Sequence, residues 1–153
     1  MKRRTFVQTS AAAGAFASVG GLSLISGAAH AERPDQAFIS NDVAEVMKQV
    51  FGDLEAQPHD MLKIEAPLQA ENGSVVPVQI TAEIPGTEKV ALVIDNNPTP
   101  LLTVLDSGPR HGGFYSLRVK MAGSDKVHAY ALAEGKLYIA SQDVRVAVGG
   151  CGG

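Results

Sequence analysis

Val76-Pro77-Val78-Gln79-Ile80-Thr81-Ala82-Glu83-Ile84 is the stretch that decides the fold. Val76, Val78, Ile80, Ala82 and Ile84 alternate with Pro77, Gln79, Thr81 and Glu83. A period of two puts one row of side chains on a core and the other in water, the pattern of a strand in an antiparallel sheet. Pro77 has no amide to donate, so the strand is expected at a sheet edge or with a bulge. The period of two begins near Lys63 and persists through the rest of the chain. Further strands read as Val90–Ile94, Leu101–Leu105, Tyr115–Met121, Val127–Ala133, Leu137–Ala140 and Val144–Val148. Asp95-Asn96-Asn97-Pro98-Thr99-Pro100, Gly123-Ser124-Asp125 and Glu134-Gly135-Lys136 separate them as turn-forming runs. About seven short strands with such punctuation predict an all-β, antiparallel β-sandwich. No strand–helix–strand alternation appears, which argues against a Rossmann or P-loop enzyme.

Upstream of the strands the period changes. Val43, Val46, Met47, Val50 and Phe51 recur at helical spacing. Asp42 is placed to cap this helix with Glu45 three residues on, and Gly52 suits its end. The apolar stripe is read as packing on the sheet. Glu32 to Ser40 is expected to be an extended lead-in.

The first residues read as an export signal. Lys2, Arg3 and Arg4 precede Phe6, and an uncharged run rich in Ala, Gly and Ser follows from Ala11 to Ala29. Ala29-His30-Ala31 is a small-x-small cleavage site. The arginine pair marks the twin-arginine route to the periplasm. Gly14, Gly20, Gly21 and Gly27 make the run weakly hydrophobic for a membrane span. An uncleaved anchor and a signal of the general secretory route stand as alternatives. The organisation expected is residues 1–31 as a cleaved signal, 32–148 as one β domain and 149–153 as a separate arm. The full chain has 153 residues, 13 basic and 16 acidic. The first 31 hold three basic groups and no acidic one, so their removal leaves 122 residues with 10 basic and 16 acidic groups, a net charge of −6. That is enough chain for a single core. Its acidity argues against nucleic-acid binding through a basic face.

Candidate chemistry is sparse. His59, His111 and His128 show no metal-ligand spacing and read as loop or surface residues. Ser107-Gly108-Pro109-Arg110-His111-Gly112-Gly113 reads either as an ordinary glycine-rich connection or as an anion-binding loop. No phosphate-cradling loop, nucleophile elbow or haem-attachment motif occurs, and no cofactor is expected. The one exception is the last segment. Gly149 and Gly150 precede Cys151, the single cysteine of the chain, and Gly152 and Gly153 follow it. One cysteine makes no internal disulfide and no cysteine-based metal cage. Flanking glycines make ordering such a tail costly in entropy and leave the thiol sterically open. Five residues fully extended reach roughly 16–18 Å, enough to carry a sulfur into another protein's active site. No Lys, Arg or His lies within those five residues, so nothing local favours the thiolate and chemistry on this sulfur falls to partners.

Gly-Gly-Cys-Gly-Gly at the end of a short exported β protein resembles the SoxY family, the sulfur-carrying subunits of a periplasmic thiosulfate-oxidising system. Glu71-Asn72-Gly73-Ser74-Val75-Val76-Pro77-Val78 resembles the family's Glu-Asn-Gly segment leading into a Val-Pro strand, and Asp95 to Leu101 resembles its Asn-Pro-x-Pro turn. The resemblance covers most of the chain. It implies an immunoglobulin-like sandwich with one N-terminal helix and a flexible C-terminal arm, in which Cys151 is the covalent attachment point for substrate. It implies a tight heterodimer with SoxZ and transient encounters with the SoxAX cytochrome, the SoxB sulfohydrolase and, where present, SoxCD. The chain is then a non-catalytic carrier, not an enzyme, and works without nucleic acid or membrane. Edge exposure at Pro77 or on the final valine strand is where a partner would pair. The alternative function is an exported immunoglobulin-like scaffold or adhesion module tethered through an intermolecular disulfide at Cys151.

Overall fold

The computed structural model describes residues 35–108 and 112–147. The expected signal (1–31), Pro109-Arg110-His111 and the arm with Cys151 lie outside the described residues. The elements run in chain order as helix α1 (Val43–Phe51), then β1 (Ala56–Pro58), β2 (Leu62–Glu65), β3 (Gln69–Ala70), β4 (Val76–Ala82), β5 (Thr87–Ile94), β6 (Leu101–Asp106), β7 (Phe114–Val119), β8 (Asp125–Ala133) and β9 (Lys136–Val146). The fold is the expected all-β sandwich with one helix. The larger sheet has the order β1-β9-β8-β5-β6, with β3 also paired to β9, and the smaller has the order β2-β4-β7.

The decisive stretch behaves as its pattern predicts. Val76, Val78, Ile80 and Ala82 are buried, and Pro77 and Gln79 are exposed. These four side chains meet Val90, Leu92 and Ile94 of β5 and Val127, Ala129 and Ala131 of β8 in the core between the sheets. Each such aliphatic side chain removed from water stabilises by roughly 1.5–3 kcal/mol. Strand β5 is buried on both faces, because Ala91 and Val93 turn away from the inter-sheet core into a second cluster with Val46, Val50 and Phe51 of the helix. The helix therefore covers the outer face of the larger sheet, as its stripe predicts. Asp42 Oδ1 accepts from Ala44 N (2.8 Å) and Glu45 N (3.2 Å). Glu45 bonds the Ser40 hydroxyl at 2.8 Å instead of closing a reciprocal box on Asp42. Gly52 ends the helix at φ +74°, where a side chain would be strained.

Four local readings differ from expectation. Pro77 lies in the central strand of its sheet, not at an edge. Ala82 N donates to Gly113 O on the β7 side, whereas Glu83 N donates to Met61 O on the β2 side. Amides alternate along a strand, so the missing one at Pro77 would face β2. That strand has already ended at the Glu65–Gln79 pair. The proline thus sits where a central strand is locally an edge. Second, the two strands read as Leu137–Ala140 and Val144–Val148 are one, β9, because Ser141, Gln142 and Asp143 keep register with His128, Val127 and Lys126. Third, Asp35–Ile39 is a turn and not an extended lead-in; Ser40 N bonds back to Gln36 O at 3.1 Å. Finally, β1 and β3 join β9 in parallel within an otherwise antiparallel fold. At three and two residues they are too short to carry a readable period.

Candidate functional site

The residue singled out by sequence, Cys151, lies outside the described residues, as do Gly149, Gly150, Gly152 and Gly153. What the structure describes is the root from which they depart. Val144 is buried in the inter-sheet core. Arg145 N then donates to Leu68 O and Ala147 N to Ala70 O, each at 2.9 Å. Between them Val146 N donates to Ser124 Oγ at 2.9 Å, on the other side of the strand. The backbone is thus held from both sides up to Ala147. Cys151 is the fourth residue after Ala147, a contour of at most roughly 13–14 Å.

Two further segments singled out by sequence converge on the same end of the sandwich. In the Asn72-Gly73-Ser74 turn, Asn72 Oδ1 accepts from Ser74 N at 2.8 Å. Gly73 O accepts from Met121 N at 2.7 Å. A Cβ on Gly73 would stand 2.6 Å from Met121 O and 3.0 Å from Val146 Cγ1, so this position tolerates only glycine without movement of the backbone. From the other side, Asn97 is a buried polar side chain in the Asn-Pro-x-Pro turn. It donates from Nδ2 to Lys120 O and accepts at Oδ1 from Ala122 N, both at 2.8 Å. Asn96 N donates to Asp125 Oδ2 at 2.8 Å. The two turns clamp residues 120–125, and Ser124 of that segment holds the last strand. Gly73, Ser74, Asn97, Thr99, Lys120 and Met121 line an open cleft of about 380 Å³ there. The clamp's members are far apart in sequence, and nothing in their local patterns revealed that they meet beside the root of the arm.

The remaining candidates separate. His59 Nδ1 accepts from Met61 N at 3.1 Å, and its ring stands edge-on to Tyr138 at 4.8 Å. It shapes the turn into β2. His128 lies on β8 with Nδ1 2.7 Å from Ser141 Oγ. Its Nε2 is 3.3 Å from Asp95 Oδ2 but poorly aligned for a hydrogen bond. This Ser–His–Asp contact was not anticipated. The Glu134-Gly135 turn signals only its Ser141 part in principle, because the hairpin register it sets places His128 opposite Ser141, whereas Asp95 arrives from the turn after β5. Burial, and secondarily the Asp95 carboxylate, push the Tyr130 hydroxyl above its usual range. Among the described residues no cluster of three or more His, Cys, Asp or Glu could hold a metal. The described ends of the 107–113 connection bond away from Ala147, at the other end of the sandwich: Ser107 N donates to Glu88 O and Gly113 O accepts from Ala82 N. Arg110 and His111 of the connection lie outside the described residues. The described residues lining the open groove beside it include Glu83 and Glu88 and no cation.

Comparison with known proteins matches residues 47–151 to the family model for the sulfur oxidation protein SoxY, a span that ends on Cys151. Among solved structures, the sulfur carrier protein SoxY from Chlorobium limicola f thiosulfatophilum is similar at 33% identity and a TM-score of 0.64, over 70% of this chain and 97% of that one. A variant of superoxide reductase (neelaredoxin) from Ignicoccus hospitalis is similar at 16% identity and a TM-score of 0.49, over 74% of this chain and 91% of that one, which bears on neither fold nor function here. No curated protein matches the chain.

Proposed function

The chain belongs to the SoxY family of sulfur oxidation proteins, and on that premise we propose that it is a periplasmic carrier that holds thiosulfate-derived intermediates covalently on Cys151. The observation that carries the reading is the family match running to Cys151, on a chain whose single thiol follows a strand held to within four residues of it. The proposed cycle balances simply. The Cys151 thiolate and the outer sulfur of thiosulfate form a disulfide bond, and two electrons leave to a cytochrome of the SoxAX type. Water then attacks the terminal sulfone, releasing sulfate and protons and leaving a persulfide on Cys151, the step expected of SoxB. Where SoxCD is present, it oxidises the outer persulfide sulfur to a sulfonate, three waters supplying the oxygens while six electrons pass to a cytochrome acceptor and six protons are released; a second hydrolysis then frees a second sulfate and restores the thiol. The carrier contributes an accessible sulfur and its placement; partners supply the base, the haem and the hydrolytic centre. The chain pairs with SoxZ and leaves the cytoplasm through the twin-arginine route, with residues 1–31 removed.

Mass spectrometry of the protein from thiosulfate-oxidising cells tests the reading. Adducts of sulfane or thiosulfonate mass on Cys151, removed by a reductant, are expected. Only free thiol during active oxidation refutes it. Cys151→Ser is expected to abolish the adducts while leaving the unfolding midpoint within the small range of a surface substitution, about 0.5 kcal/mol. A disulfide-linked species as the working form would favour the tethered-scaffold alternative.

A further inference from the structure

Of the asparagines Asn41, Asn72, Asn96 and Asn97, only Asn72 precedes a glycine. That pair carries a reaction of its own. The main-chain nitrogen after an asparagine is a nucleophile for the side-chain carbonyl carbon, and a glycine, with no Cβ, leaves that nitrogen sterically open. Asn72 and Ser74 are exposed, so water reaches the turn. Gly73 N makes no hydrogen bond among the described residues, so the nucleophile is not tied up.

The turn is nevertheless held by three bonds. Asn72 Oδ1 accepts from Ser74 N at 2.8 Å. Asn72 O accepts from Val75 N at 3.3 Å, and Gly73 O accepts from Met121 N at 2.7 Å. Closing a ring through Asn72 Cγ and Gly73 N takes the side chain off Ser74 N. It also turns the peptide between Asn72 and Gly73, which carries Gly73 O away from Met121 N. The bond to Met121 belongs to the clamp, whose other side is Asn97 bonded to Lys120 O and Ala122 N.

We propose that Asn72 is a deamidation site gated by this clamp: it reacts while Gly73 is released from Met121, and its isoaspartyl product does not reseat. The step balances. Gly73 N bonds to Asn72 Cγ, the Cγ–Nδ2 bond breaks, and the Gly73 amide proton leaves with Nδ2 as ammonia. Water then opens the cyclic imide. Attack at Cγ gives an aspartyl side chain on an unchanged main chain. Attack at the main-chain carbonyl leaves an isoaspartyl link, which lengthens the main chain by one carbon. A Cβ on Gly73 would already stand 2.6 Å from Met121 O and 3.0 Å from Val146 Cγ1, so the seat has no room for the longer chain. The aspartyl product keeps an acceptor for Ser74 N and closes again; the isoaspartyl product leaves the root of the arm without its Gly73 contact. Because the reaction is one-way, brief openings accumulate as product. The rate then follows the population of the open turn, and Asn97 controls it without touching Asn72. The proposal is independent of the carrier reading, since it is read at Asn72 and Met121 and not at Cys151.

The test ages the chain in mildly alkaline buffer and maps residue 72 by peptide mass, a gain of about one mass unit, with isoaspartate-specific methylation to separate the two products. The folded chain is expected to react at least about tenfold more slowly than the same chain unfolded in urea. Asn97→Ala is expected to recover most of that difference, whereas Asp42→Ala, at the helix cap, leaves the rate near that of the parent. Hydrogen exchange is the second readout: the Met121 amide is expected to be protected in the parent and to exchange rapidly in the isoaspartyl form, with an unchanged circular dichroism spectrum. A folded chain that reacts as fast as the unfolded one overturns the gate, and this comparison needs no variant. Equal acceleration by Asp42→Ala and Asn97→Ala also overturns it, because the reaction would then follow global unfolding. An isoaspartyl form that keeps the Met121 amide protected overturns the failure to reseat.

Discussion

Asn97→Ala tests whether the clamp at the arm's root is held by the bonds described. The substitution removes the donor to Lys120 O and the acceptor for Ala122 N, both at 2.8 Å. Two net hydrogen bonds are worth about 2 kcal/mol, and orphaning their main-chain partners adds up to roughly 1–3 kcal/mol for each group kept from water. The open cleft lined by Asn97 admits water once the side chain is cut back, which limits the second contribution. The expected loss is therefore about 2–3 kcal/mol, or a melting point lower by roughly 8–12 °C for a domain of this size. Urea unfolding followed by far-ultraviolet circular dichroism reads it, with an unchanged slope because the buried surface hardly alters. Asn97→Asp keeps the acceptor for Ala122 N but sets a carboxylate oxygen against Lys120 O. It is expected to cost at least as much as alanine despite its near-identical shape. A loss below about 1 kcal/mol for alanine, or an aspartate variant as stable as the parent, would refute the argument that both bonds hold the clamp.

Other outcomes follow from the same geometry. Gly73→Ala forces a Cβ to 2.6 Å from Met121 O, so the turn or the 120–122 segment must shift; a loss of about 1–3 kcal/mol in urea unfolding is expected. Asp42→Ala leaves the amides of Ala44 and Glu45 without their cap and is expected to cost about 1 kcal/mol by the same measurement. Tyr130 makes the domain sensitive to alkali. Below about pH 10 folded and unfolded chains both hold the phenolic proton. Above it the unfolded chain releases the proton first, because burial and then Asp95 raise the folded value, so stability falls as pH climbs towards that value. Melting points of Tyr130→Phe between pH 9 and about 11 should lack this decline.

Where a signal is local, the chain's own pattern was enough to read it. The alternation in 76–84 and the stripe Val46, Val50, Phe51 each bury a single face, so side-chain period and burial coincide. Asp42 and Gly52 mark the helix ends because capping is chemistry between near neighbours. The misreadings are where distant segments decide. Pro77 looked like an edge residue, yet β2 simply ends before reaching it. Ser141–Asp143 looked like a break, but β8 supplies partners that hold the strand through it. Strands β1 and β3 form only because β9 offers its free side.

The candidate site divides along the same line. Sequence by itself picked out the candidate: a single cysteine set among glycines, with no Lys, Arg or His in the last five residues, on a chain of the SoxY family. Composition and spacing along one chain suffice for that, since no other segment has to be placed to read them. Only the tertiary structure decided how the arm is rooted, by bringing Gly73, Asn97 and Ser124 together around residues 120–125 and Val146. Those contacts depend on strand register and on the closing of two sheets over a shared core, and both are set by packing between segments up to dozens of residues apart.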